Sequence, residues 1–179
     1  MARRIQYTGN PVITLADVTS QVMGVVADQQ TLVSNVIIPA VTAQCESITG
    51  AAVRAATYEE DWPASGRHGG YLDIGQAHTI TSVQRLDGGE QLPLDACVLS
   101  RGARQSSLRI HGVHGVPLRI TYEAGLDLAA YPSVKQWLLM QAATLYAQRE
   151  VLITGSIVSR MPESLIDTLL DDIKVPPRF

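Results

Sequence analysis

The residues with the clearest chemical potential are two histidines in the string His111-Gly112-Val113-His114. Two imidazoles three positions apart could ligate zinc if they lay on a helix. Gly112 lies inside the string and Gly115 follows it directly, however, and strand-like segments flank both. On a strand, side chains three positions apart point to opposite faces. No Glu or Cys follows at ligand spacing, so the string predicts a hairpin loop and no metal site.

The other polar groups lack the partners that catalysis requires. Glu59, Glu60 and Asp61 form an acidic cluster, which favours a solvated strand end over an acid–base pair. His68 and His78 lie in separate glycine-rich segments. The sequence contains no nucleophile elbow, phosphate-binding loop or dinucleotide-binding string. We therefore expect a non-enzymatic protein with no catalytic residue, no metal ligand and no cofactor.

Composition narrows the class of protein further. The chain of 179 residues has a formal net charge of −3 and no basic run after Arg3-Arg4. It therefore lacks the stripe of basic residues that is typical of proteins that bind nucleic acid. No apolar run approaches the roughly 20 residues that a membrane span needs, and the first residues show no signal-peptide pattern. Cys45 and Cys97 are far apart, which favours free thiols in a reducing cytoplasm.

The distribution of glycine divides the chain into three parts. Ten of the 14 glycines fall between Arg54 and Gly125, and the flanks have helical spacing. We expect an α+β fold in which a helical frame, with two N-terminal and two C-terminal helices, carries an inserted small antiparallel β subdomain. The predicted parts of this compact domain are 1–53 (helical), 54–126 (β-rich) and 127–179 (helical, with an extended tail).

The first flank predicts two helices. Thr14 is a plausible N-cap with Asp17 three positions on, and it starts a short helix that ends at Gly24. A longer helix is expected from Asp28 to Gly50, with a kink at Pro39 because proline removes a backbone hydrogen bond. Alternatively, this helix begins only at Pro39.

The middle part predicts short strands with β-branched or alternating residues, separated by Gly and Asp. The Asp87-Gly88-Gly89 string indicates a hairpin turn. A small antiparallel sheet or an open barrel is expected. The predicted strands are 56–62, 79–86, 96–100, 107–111 and 116–122.

The second flank predicts two more helices. Ser133 could cap the first, with Gln136 reaching back to it, and an apolar stripe continues to about Glu150. The second begins at Pro162 and has one apolar face. It ends before Pro176-Pro177, which leaves an extended tail. A charge pair between Glu46 and Arg149, linking the two flanks, is a further hypothesis.

Several strings, taken in order, resemble the head–tail connector (adaptor) family of long-tailed bacteriophages. Each is weak alone, but their order and spacing extend over most of the chain, from about residue 14 to residue 175. The Pro39 position and the long glycine-rich middle depart from the family pattern. The matching strings are Leu15-Ala16, Glu46-Ser47-Ile48-Thr49-Gly50, Thr121-Tyr122-Glu123-Ala124-Gly125, the helix from Pro132 to Arg149-Glu150, and the helix from Pro162 to Leu169-Leu170.

The resemblance implies a structural role in the neck of a virion, assembled in the host cytoplasm. Members form a ring of twelve copies beneath the portal, extend the DNA channel and bind the stopper or a tail-completion protein. Double-stranded DNA would pass without specific binding, and lumen-facing carboxylates would repel it. No membrane partner is implied. The tail Val175-Pro176-Pro177-Arg178-Phe179 would contact the portal, with Phe179 as an anchor.

Two other hypotheses stay open at this point, and a third is disfavoured. A stopper or tail terminator would be mainly β, and a small metal-dependent hydrolase would need a metal at His111 and His114. A DNA-binding regulator would need basic residues on a recognition helix, but residues 28–50 contain no Lys or Arg.

Overall fold

The described part of the chain combines helices with antiparallel sheets. The computed structural model describes residues 2–22, 25–64, 69–102, 104–147 and 168–176. The α+β class predicted from the sequence is confirmed. The chain divides into a β unit, residues 1–10, 50–126 and 173–179, and a helical unit, residues 11–49 and 127–172. The β unit thus combines the middle of the chain with described residues near both ends, 2–10 and 173–176.

The β unit contains two antiparallel sheets in its described residues. One has four strands in the order β1-β2-β7-β4, and the other has three in the order β3-β6-β5. The strands are β1 (Arg3–Tyr7), β2 (Ala56–Trp62), β3 (Gly69–Tyr71), β4 (Ala77–Arg85), β5 (Cys97–Arg101), β6 (Ser106–Ile110) and β7 (Leu118–Ala124).

Strands β2 and β7 form the centre of the larger sheet. They pair without a break from Ala56 opposite Ala124 to Trp62 opposite Leu118. Along β7 every second side chain is buried, as the two-residue period of a strand requires. Tyr58 and Tyr122 are stacked in the core with ring centroids 5.9 Å apart.

Both sheets contribute to one core, so the β unit has a single hydrophobic interior. The smaller sheet supplies Leu108 and Ile110, and the larger one supplies Ile120 and Tyr122. The expectation of one small sheet or open barrel was therefore incomplete. Periodicity identified the strands, but it does not specify which strands pair.

Two predicted connections differ in the structure. The turn at Asp87-Gly88-Gly89 forms, with Gly89 at φ +72°, but the returning segment is residues 90–92 rather than the next strand. Leu92 N donates to the Val83 carbonyl at 2.8 Å. The His111–His114 segment is no hairpin, because it joins β6 of one sheet to β7 of the other.

The helical unit begins with the predicted capping box. Helix α1 spans Leu15–Gln21. Asp17 N donates to Thr14 Oγ1 at 3.2 Å, and Thr14 N donates to Asp17 Oδ2 at 2.8 Å. Two of the backbone N–H groups that a helix start leaves without partners are thereby satisfied.

The long helix is continuous through Pro39, with a wider turn in front of it. A 3₁₀ turn (Ala27–Gln29) leads into α2 (Gln30–Leu32), a π-helical turn (Val33–Ile37) and α3 (Ile38–Thr49). A regular α-helix would press the proline ring against the carbonyl four residues earlier, and the π turn relieves this clash. Gly50 ends the helix at φ +68°, as a C-terminal glycine commonly does.

Helix α4 spans Pro132–Ala147, so the prediction of Ser133 as its N-cap was wrong. Pro132 is the first helical residue, a position where its fixed φ and missing N–H are tolerated. Val134, Trp137, Leu138, Ala142 and Tyr146 are buried along one face, but Leu145 of the predicted stripe is 41% exposed.

Parts of the second flank lie outside the described residues, including the predicted helix end at Arg149-Glu150 and the start of the last helix at Pro162. From Thr168 the chain forms a turn in which Leu170 is buried. None of the helices in the described residues is long and apolar enough to cross a membrane.

Candidate functional site

The histidine pair lies in an exposed loop between the two sheets of the β unit. His111 and His114 are exposed, and Gly112 and Gly115 have φ values of +76° and +69°. Such left-handed backbone strongly favours glycine. Among the described residues, no group of three or more His, Cys, Asp or Glu side chains could hold a metal ion. His68 lies outside these residues.

A shallow cleft runs along the outer side of the smaller sheet. Its volume is about 690 Å³, and its lining includes Tyr71, Arg109, His111 and His114 together with Gly69 and Gly70. In β6 the side chains of Ser107 and Arg109 alternate with the buried Ser106, Leu108 and Ile110. Ser107 and Arg109 therefore point to the outer face.

Two members of the acidic cluster pair with arginines on the outer face of the larger sheet. Glu59 Oε1 lies 3.0 Å from Arg3 Nη2, and Asp61 Oδ1 lies 2.8 Å from Arg119 Nε. The hydrogen bonds from the Arg119 guanidinium lower the pKa of Asp61 below its usual value. These contacts lie across neighbouring strands, where opposite charges stabilise a sheet modestly.

Glu60, the third member, is buried, so the expectation that it belongs to a solvated strand end was wrong. It is 3% exposed. Its carboxylate accepts hydrogen bonds from Trp62 Nε1 at 2.7 Å, the Asp73 amide at 2.9 Å and Tyr122 Oη at 3.2 Å. Burial, together with the neighbouring Glu60 charge, raises the pKa of Tyr122. The group is a structural network and offers no access to a substrate.

The helix from α2 to α3 exposes a long face without charge. Leu32, Val36 and Ile48 are 36%, 55% and 45% exposed. Between Gln29 and Thr49 the only charged residue is Glu46, which is half-buried. The other exposed residues of this uncharged helix face are Gln30, Thr31, Asn35, Pro39, Ala40, Ala43, Gln44 and Ser47.

The predicted tail begins with an anchored residue. Val175 is half-buried. A Cβ atom added to Gly50 would lie 3.3 Å from Val175 Cβ, and one added to Gly75 would lie 2.9 Å from Val175 Cγ2. Both glycines thus make room for Val175, which fixes the base of the tail to the β unit. Pro176 is exposed, and Pro177, Arg178 and Phe179 lie outside the described residues.

The remaining candidates are Glu46 and the two cysteines. Glu46 lies on α3, but Arg149 is outside the described residues, so their pairing stays a prediction. Cys45 and Cys97 are free thiols. Burial and the nearby Glu46 charge raise the pKa of Cys45 to about 12, and burial raises that of Cys97. Both sulfurs are therefore weak nucleophiles.

Comparison with known proteins gives matches in structure but none in sequence. No protein-family model matches the sequence, and no curated protein does either. The structure, however, is similar to a chain in the virion of the native gene transfer agent (GTA) particle. The TM-score is 0.76 at 15% identity, over 100% of this chain and 97% of that chain. The two chains share a fold.

Two solved structures of the GTA neck also contain similar chains. One is the neck of the empty particle, computed with C6 symmetry, at a TM-score of 0.73 and 16% identity. The other is the neck of the native particle, computed with C12 symmetry, at a TM-score of 0.63 and 16% identity. Each match covers 100% of this chain and 97% of the other. The shared fold thus extends over both units.

Proposed function

We propose that this chain is a structural subunit of a phage-like neck, a head–tail connector that forms a ring beneath the portal. The supporting observation is the full-length fold similarity to chains of the GTA neck, one of them in a reconstruction with C12 symmetry. In this role the ring has twelve copies, extends the DNA channel and binds the stopper or a tail-completion protein. The proposed location is the virion, after assembly in the host cytoplasm.

The uncharged helix face is the proposed contact between neighbouring copies. A ring contact is head-to-tail, so each subunit needs an exposed surface that fits a different surface of its neighbour. The central line of this face, Val36, Ala40, Ala43 and Ser47, follows helical spacing and consists mostly of small residues. Small side chains let another backbone approach closely, and the absence of charge avoids the large desolvation penalty of burying an ion.

The exposed apolar side chains on this face favour burial. Covering the exposed halves of Leu32, Val36 and Ile48 contributes about 3 kcal/mol per contact. Association of two free molecules also loses translational and rotational freedom, which costs more than this. We therefore expect free subunits to be largely monomeric and the ring to form on the portal, which holds the subunits in place.

The tail is the proposed portal contact. Val175 fixes its base, and Pro176 and Pro177 stiffen the segment that carries Arg178 and Phe179. A stiff segment loses little conformational entropy on binding, which favours an aromatic anchor at its end. Deletion of residues 176–179 should leave the subunit folded and weaken its capture by the portal in a pull-down. Unchanged capture would contradict this role.

Electron microscopy of the chain mixed with its portal tests the ring itself. The expected result is a twelve-fold ring on the narrow end of the portal. Val36→Asp should prevent ring formation, whereas Gln136→Asp, an equal charge change at an exposed position of α4, should not. Binding to tail proteins with no ring on the portal would instead favour a stopper or tail terminator.

A further inference from the structure

The two units carry opposite formal charges. The β unit has eleven Lys and Arg residues and eight Asp and Glu residues, a net charge of +3. The helical unit has three and nine, a net charge of −6. The net charge of −3 for the whole chain is therefore the sum of a cationic β unit and a more strongly anionic helical unit. A polyanion would be attracted to the β unit and repelled by the helical unit.

The three strands of the smaller sheet carry two arginines, Arg101 and Arg109, and no Asp or Glu. Residues 96–122 include four arginines and two histidines but no Asp or Glu. Arg119 belongs to the larger sheet, where Asp61 and Glu59 neutralise it. No carboxylate of the described residues is in contact with Arg109, which is exposed on the outer face of β6.

The cleft along this sheet is lined by hydrogen-bond donors. Arg109, His111, His114, Tyr71 and Ser107 supply N–H or O–H groups, and no described lining residue is acidic. Gly69 lies opposite Arg109 in the sheet and has no side chain to cover it. Tyr71 is 56% exposed and Val98, on the other side of Arg109, is 51% exposed.

We propose that this cleft binds the phosphate backbone of double-stranded DNA without reading its sequence. Arg109 makes the central phosphate contact, and His111, which also lines the cleft, supplies a further donor. The cleft is shallow and open, so an extended polyanion fits it better than an enclosed small molecule. Glycine backbone at Gly69 and Gly70 permits close approach of a phosphate.

An acidic segment of a protein partner has similar charge, and the choice of DNA rests on the proposed function, in which DNA traverses the ring. Contacts to phosphate carry no sequence information and are weakened by salt. They would guide DNA without holding it. The earlier expectation of carboxylates that repel DNA then applies to the helical unit alone.

Fluorescence anisotropy with the full-length chain and a labelled duplex of about 30 base pairs tests the proposal. In about 50 mM NaCl we expect binding at roughly 10 µM, equal for two unrelated sequences, and loss of binding as salt rises. Arg109→Gln should weaken binding about tenfold and reduce the salt slope by about one unit. His111→Gln should weaken it less, and circular dichroism should show that both variants are folded.

Arg85→Gln is the matched control. It makes the same charge change in the same unit, but the Arg85 guanidinium already lies 3.0 Å from an Asp87 carboxylate oxygen. We expect its affinity to stay within about twofold of wild type. Equal weakening by Arg85→Gln and Arg109→Gln would overturn the proposal, because binding would then depend only on overall charge.

Two further results would overturn it: absence of duplex binding by the wild-type chain, and binding of poly-glutamate in preference to DNA. The portal experiment distinguishes the two proposals. A ring on the portal without DNA binding overturns this inference alone, and DNA binding without a ring overturns the proposed function alone.

Discussion

Replacing the buried Glu60 should destabilise the β unit without affecting the helical unit directly. Its Oε1 accepts from the Trp62 indole, and its Oε2 accepts from the Asp73 amide and the Tyr122 hydroxyl. The carboxylate therefore satisfies three donors from three parts of the unit. Buried donors without partners are costly, and a charged acceptor makes stronger hydrogen bonds than a neutral one.

The magnitude follows from the number of acceptors that remain. In Glu60→Gln one oxygen becomes an NH₂ group, which must face either the Trp62 indole N–H or the Asp73 backbone N–H. The Tyr122 hydroxyl can rotate and accept, but the other two groups cannot, so at least one hydrogen bond is lost. We expect Glu60→Gln to lower the free energy of unfolding by about 2 kcal/mol. Glu60→Ala removes all acceptors and leaves a cavity, so it should lower the free energy of unfolding by about 4 kcal/mol.

Urea unfolding monitored by tryptophan fluorescence measures this effect. The two tryptophans lie in different units, so a Trp137→Phe background leaves Trp62 as a reporter of the β unit. The control is Glu59→Gln, which removes a neighbouring charge paired with Arg3. Glu59 also lies 3.7 Å from Arg119 Nε, and the Arg3 and Arg119 side chains are 75% and 38% exposed. This change should therefore lower the free energy of unfolding by less than about 1 kcal/mol.

Equal stability of Glu60→Gln and wild type, within about 0.5 kcal/mol, would refute the reasoning. It would mean that the three donors find other acceptors and that the buried carboxylate is dispensable.

Two further predictions concern the helical unit and the base of the tail. Hydrogen bonds, first from Lys135 and then from Thr14, lower the pKa of Asp17 from 3.8 to about 2. The ionised Asp17 therefore stabilises the folded state fully when the pH is above 3.8, and this stabilisation is lost as the pH falls through about 2. Asp17→Ala should lower the free energy of unfolding by about 1 kcal/mol at neutral pH and flatten its fall in acid, measured by urea unfolding at several pH values; an unchanged acid slope would contradict this. A Cβ on Gly75 would lie 2.6 Å from a carbonyl oxygen, so Gly75→Ala should cost about 2 kcal/mol in thermal unfolding. Gly88→Ala, with no atom within 4 Å of its added Cβ, should be neutral, and equal melting temperatures for both variants would refute the steric argument.

Strands with strong alternation were predictable, and weakly patterned strands were not. The predicted strand 56–62 matches β2, because alternate residues from Ala56 to Glu60 face the core. β1 was missed because Arg3–Tyr7 is polar and almost fully exposed, and it is a strand only through pairing with β2. β3 has three residues, two of them glycine, which give no pattern to detect.

The candidate site could also be predicted only in part. The sequence indicated that His111 and His114 lie in a loop, but the cleft beside them depends on pairing between β3 and β6, which periodicity does not specify. Glu60 could have been placed correctly, because the two-residue period puts it on the same face as Ala56 and Tyr58. The sequence-based interpretation relied on the charge of Glu60 and therefore placed it at a solvated strand end. Long-range pairing between strands carries the information that local patterns lack.

The alternation of the two units along the chain has a consequence for folding during synthesis. Helix α1 contacts α4 through Asp17 and Lys135, which are 118 positions apart. The ribosome must therefore make the whole 50–126 segment of the β unit before the first helices meet their partner. Contacts between residues so distant in sequence slow folding. Until α4 emerges, the apolar side of α1 and α3 has no partner helix to cover it. We therefore expect slower growth or chaperone co-expression to raise the soluble yield.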